Sequence, residues 1–60
     1  MVAMLNSCVV TVERLWDAEW RVEAEDERGE RLEVVVVGTD EQARAVAEGL
    51  AARLELLSAA

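Results

Sequence analysis

Trp20 to Glu25 alternate residue by residue between apolar and charged side chains, with Trp20, Val22 and Ala24 on one face and Arg21, Glu23 and Glu25 on the other. A period of two belongs to a strand with one buried face. A second β-branched run, Arg31 to Val37, follows after the turn sequence Asp-Glu-Arg-Gly-Glu at 26–30. Gly29 takes a positive φ without steric penalty, as the last loop position of a type I turn with a G1 bulge requires. Pairing Asp26 with Glu30 then sets the whole register. Ala24 faces Leu32, Val22 faces Val34 and Trp20 faces Val36, so the apolar faces coincide. Behind them Glu25 opposes Arg31, a favourable pair, while Glu23 opposes Glu33, a like-charge pair.

Upstream, Val9–Trp16 reads as another half-buried strand. Val10, Val12 and Trp16 lie on its apolar side, with Arg14 the exception there. Asp17-Ala18-Glu19 is a tight connection that makes Trp16 and Trp20 neighbours across the first hairpin. Residues 1–7 read as an N-terminal lead-in, with Asn6-Ser7 as punctuation. Downstream, the last strand ends at Gly38, and Thr39-Asp40-Glu41-Gln42 matches a capping box. The two carboxylates sit in the first turn, where the helix dipole favours negative charge. Ala43, Val46, Ala47, Leu50, Leu54 and Leu57 form the apolar stripe, and Arg44 and Glu48 an i,i+4 pair on the opposite side. Gly49 weakens the helix interior by about 1 kcal/mol relative to Ala. The expected fold is α+β: a three-stranded antiparallel meander followed by one C-terminal amphipathic helix packed on the sheet (βββα), a single domain over residues 8–60.

That domain has little core. Its inward positions are Val10, Val12, Trp16, Trp20, Val22, Ala24, Leu32, Val34 and Val36 on the sheet, with Val46, Ala47, Leu50, Leu54 and Leu57 on the helix. Yet 53% of the 60 residues are hydrophobic. Val9, Leu15, Val35 and Val37 fall on the outward face, and the run Val34–Val37 is apolar on both sides, as in a strand covered twice. It is also an edge strand, which invites pairing with another chain. A homo-oligomer is expected, most simply a two-fold dimer, with Leu15, Val35 and Val37 as candidate interface residues.

Composition excludes several chemistries. There is no His, and the one Cys, Cys8, has neither a base nor an intrachain disulfide partner, so thiol catalysis and Cys/His zinc sites drop out. A catalytic carboxylate pair needs a cleft that one helix on three strands scarcely offers. An anion at the Gly38-Thr39 turn would be repelled by Asp40 and Glu41. No catalytic residue, cofactor or metal ligand is assigned, and no enzymatic activity is expected. The net charge of −7, from 13 acidic residues against 6 basic ones, disfavours direct nucleic-acid binding and anionic membranes. No apolar run reaches a membrane-spanning length. The short opening segment Met-Val-Ala-Met-Leu lacks the form of a secretory signal, which points to the cytoplasm.

The negative charge is concentrated between Glu13 and Glu33, so a basic protein partner is expected to meet the sheet. Glu23, Glu25, Glu33 and Arg21 are the candidate partner-binding residues.

The strand order and the junction Val37–Leu54, VGTDEQARAVAEGLAARL, resemble the second half of double-stranded-RNA-binding domains and the N-terminal part of HicB-type antitoxins. The chain lacks the leading helix and basic helix start of the first. It also lacks the aromatic, Pro-rich strand signature of the second. No functional residue carries over from either. The expected function is that of a small acidic, non-catalytic interaction module that self-associates and binds a protein partner, as an inhibitor or antitoxin-like regulator of a basic protein would. The alternatives are a structural self-assembly subunit, or a domain binding a divalent metal or small ligand through its acids or tryptophans.

Overall fold

The computed structural model describes residues 1–5 and 7–59. Four strands, β1 (Val2–Leu5), β2 (Cys8–Trp16), β3 (Glu19–Glu25) and β4 (Arg31–Val37), form an antiparallel sheet in sequence order. One helix, α1 (Asp40–Ala59), packs across a single face of it. The sheet therefore has four strands where the sequence predicts three. The additional strand lies in the segment read as a lead-in: Val2 pairs with Thr11, Ala3 with Val10, Met4 with Val9 and Leu5 with Cys8. Ser7 closes this hairpin with a φ of 66°, in the left-handed region. The other half of the Asn6-Ser7 punctuation, Asn6, lies outside the described residues.

The β3–β4 hairpin has the predicted register throughout, from Glu25↔Arg31 to Trp20↔Val36. Its turn is closed by two backbone bonds, Asp26 N–H to Glu30 C=O at 2.9 Å and Gly29 N–H to Asp26 C=O at 3.1 Å. The Asp26 side chain adds two more, because its Oδ1 accepts from the N–H groups of Arg28 and Glu30 at 2.9 Å each. Gly29 has the expected positive φ, 84°.

The β2–β3 hairpin departs from the prediction at Trp16. A two-residue turn, Asp17-Ala18, places Trp16 opposite Glu19, whereas the core needs Val12 opposite Val22. These demands differ by one residue, and a bulge between Arg14 and Trp16 absorbs it. The bulge moves Trp16 onto the outward face, where it is 76% exposed. Trp16 and Trp20 therefore point to opposite faces instead of pairing. Trp20 is half-buried, and its indole N–H donates to the Gly38 carbonyl at 2.9 Å, tying β3 to the start of the helix.

The core comprises Cys8, Val10, Val12, Val22 and Ala24 from β2 and β3, with Ala43, Ala47, Ala51 and Leu54 from α1. Alanines spaced four apart let the helix lie close to the sheet, and the larger Val46 and Leu50 flank that contact line, half-buried. The predicted stripe is thus rotated, with Ala51 inside and Leu57 53% exposed past the last buried position at Leu54. Because the helix sits over β2 and β3, Val34 is left 38% exposed although it faces inward opposite Val22. Arg44 pairs back to Asp40 at 3.4 Å, in the opposite direction to the predicted partner Glu48.

The capping box forms as predicted. Thr39 N–H donates to Gln42 Oε1 at 2.8 Å, and Gln42 N–H donates to Thr39 Oγ1 at 3.2 Å. Gly38 has a φ of 151°, and a Cβ there would lie 2.0 Å from Gln42 Oε1. Gly38→Ala is expected to expel the Gln42 side chain and strain the junction, lowering stability by about 1–2 kcal/mol. Urea denaturation measures this, and an unchanged midpoint would contradict the role given to the glycine.

Candidate protein-interaction surfaces

The alternation of side chains along β1 to β4 decides what the face opposite the helix presents. Glu13, Arg21 and Val35 form one cross-strand row; Val2, Thr11, Glu23 and Glu33 form the next; Met4, Val9, Glu25 and Arg31 form a third. Trp16, Glu19 and Val37 make the row at the far end. All four candidate partner-binding residues, Glu23, Glu25, Glu33 and Arg21, therefore share this outer face, together with Val35 and Val37. Leu15 lies in the bulge of β2 and is 38% exposed.

The charges are arranged in pairs. Arg21 bonds to Glu13 across the β2–β3 ladder. That hydrogen bond, reinforced by the charge of Glu13, raises the Arg21 pKa above its ordinary value. Arg31 reaches diagonally to Glu23 at 3.8 Å, which relieves the like-charge contact between Glu23 and Glu33. Carboxylates still outnumber guanidinium groups on this face, so it repels phosphates and attracts cations.

Apolar surface frames the charged centre. Val2 and Met4, 70% and 69% exposed, join Val9 at one corner. Trp16 and Val37, 76% and 75% exposed, form the opposite corner. On the helix side, a groove of about 500 Å³ runs between α1 and β4, lined by Leu32, Val34, Val46, Leu50, Gly49 and Arg53 among others. No local pattern of residues signals this groove, since it depends on the lateral position of the helix over the sheet.

β4 is an edge of the sheet, and its backbone polarity follows from the hydrogen bonds at the two ends of the β3–β4 ladder. Asp26 N–H bonds to Glu30 C=O at 2.9 Å, and Gly38 N–H bonds to Ala18 C=O at 2.7 Å. Both are hydrogen-bonded pairs of one uninterrupted register, so Leu32, Val34 and Val36 turn their backbone groups toward β3. Arg31, Glu33, Val35 and Val37 turn theirs to the open edge, where no strand among the described residues meets them.

Cys8 is 1% exposed, and its Sγ lies 3.8 Å from the Ala51 carbonyl, to which the thiol donates. Burial raises its pKa, and the nearby carboxylates of Asp26, Glu55 and Glu27 push in the same direction. The folded state therefore holds the thiol proton more tightly than the unfolded chain. Stability from this source is complete below the ordinary thiol pKa near 8.5 and is lost as pH rises through the folded value. Melting temperature is expected to fall above that pH in the native chain and to fall less in Cys8→Ala. Parallel profiles would contradict this.

At the helix start the capping box takes up the N–H groups of Thr39 and Gln42. Among the described residues there is no group of three or more His, Cys, Asp or Glu able to hold a metal ion, and no helix is long and apolar enough to cross a membrane. No protein-family model matches the chain, and neither a curated protein nor a solved structure matches it.

Proposed function

We propose that this chain is a small, non-catalytic interaction module that associates with itself along β4 and presents its acidic outer face to a basic protein partner. The observation that carries the reading is the edge strand itself. β4 offers unpaired backbone groups along one side, and its valines are exposed on both faces, Val34 at 38%, Val35 at 53% and Val37 at 75%. A long apolar edge is the feature that monomeric sheet proteins shorten, charge or cover. Glu23, Glu25 and Glu33 together outweigh Arg21 and Arg31 on this face even with the Arg21–Glu13 and Arg31–Glu23 pairs formed, and a protein that binds nucleic acid through a basic surface has the complementary charge. Occupying that surface is what an inhibitor or antitoxin-like regulator does.

Light scattering coupled to size exclusion tests self-association, with an expected mass of twice the 6.6 kDa chain. Two copies each carrying −7 repel one another, so added salt should strengthen the dimer while weakening capture of a polylysine probe. A mass of 6.6 kDa at every protein and salt concentration would overturn the self-association. Polylysine capture indifferent to salt would overturn the role of the acidic face.

A further inference from the structure

We infer that the second copy pairs antiparallel along β4 about a two-fold axis passing beside Val34, joining two four-stranded sheets into one with both helices on the same side. This rests on the self-association proposed above and specifies its geometry. Placing the axis at Glu33 would set Glu33 opposite Glu33 of the second copy, a direct like-charge contact. Placing it at Val35 would run Arg31 out against Thr39 at the helix cap, beyond the end of β4. The axis at Val34 pairs the whole strand, Arg31–Val37, with itself.

In that register Glu33 faces Val35 of the second copy and Arg31 faces its Val37. These four are the residues whose N–H and C=O groups point to the open edge, so every free backbone group of β4 finds a partner. The remaining like-charge contact is diagonal, between the two Glu33 side chains at roughly 7–8 Å. On the helix side, Leu32, Val34 and Val36 of the second copy come to lie along the open flank of the groove formed by Leu32, Val34, Val46 and Leu50. Gly49, whose Cβ position has open space around it, leaves the wall of that groove low. The edge and the groove are thus one continuous surface that a second β4 covers.

Val34 meets Val34 of the second copy as a non-hydrogen-bonded pair, with Cα atoms about 4.5 Å apart, inside the range that a disulfide spans. Oxidised glutathione is expected to convert Val34→Cys to a covalent dimer. It should leave Val37→Cys monomeric on a denaturing gel, since those Cα atoms would be about 20 Å apart. The native chain, whose Cys8 is buried, is the control. Light scattering of reduced Val34→Cys separates two failures. A dimeric mass with cross-linking at Val35→Cys or Val37→Cys, and none at Val34→Cys, overturns the register alone. A monomeric mass with native circular dichroism overturns the self-association as well.

Discussion

Leu54→Ala is expected to lower stability by about 2–5 kcal/mol, the range for removing a large side chain from a packed core. Among the described residues Leu54 is the largest fully buried side chain and the only large one that the helix contributes at full burial, because Ala43, Ala47 and Ala51 make up the rest of its contact line. The alanines that make up the rest of the helix's contact line have no side-chain length with which to fill the cavity. Natural domains hold roughly 0.05–0.15 kcal/mol per residue, which for this chain is about 3–9 kcal/mol in all. One substitution thus removes much of the total, and a chain largely unfolded at physiological temperature is the outcome to look for by circular dichroism. Leu57→Ala, at an exposed position, should change stability by less than about 0.5 kcal/mol. Equal losses at Leu54 and Leu57 would contradict the placement of the helix.

Val35→Pro should abolish the dimer while leaving the fold in place. The Val35 N–H points to the open edge, so proline there takes no hydrogen bond from the β3–β4 ladder, and edge strands tolerate proline in that orientation. In the dimer the substitution removes one donor from each copy. Two bonds at about 0.5–1.5 kcal/mol each weaken association by about 5- to 150-fold, before any clash of the ring with the opposing strand. Val34→Pro is the counterpart, because the Val34 N–H bonds inward to β3 and its loss loosens the hairpin. The expected pattern is a folded monomer for Val35→Pro and a destabilised chain for Val34→Pro. A dimer surviving in Val35→Pro would remove β4 from the interface.

The β3–β4 hairpin was legible because three signals agree on one register: strict alternation from Trp20 to Glu25, the valine run, and Gly29 at the position needing a positive φ. The capping box was legible for the same reason, a local pattern with a local consequence. β1 left no such trace. Its outward residues Val2 and Met4 are as apolar as its inward Ala3 and Leu5, so no period of two appears. Trp16 was misplaced because the bulge arises from a conflict between turn length and core register, which no window of sequence contains. On the helix, larger side chains drew the stripe toward Leu57, while close packing against the sheet selects alanines. The outer-face residues followed from period two alone. The groove beside β4 did not, because it is set by tertiary placement.

Amide hydrogen exchange along β4 tests the edge pairing most directly. In an isolated chain, Leu32, Val34 and Val36 are bonded to β3 and exchange slowly, while Arg31, Glu33, Val35 and Val37 exchange at rates set by solvent. Measured at micromolar and then millimolar protein, the second group should become protected as concentration rises, reaching the level of the first. If those four amides stay fast at the highest concentration while the core amides remain protected, β4 is not where the chain meets its second copy.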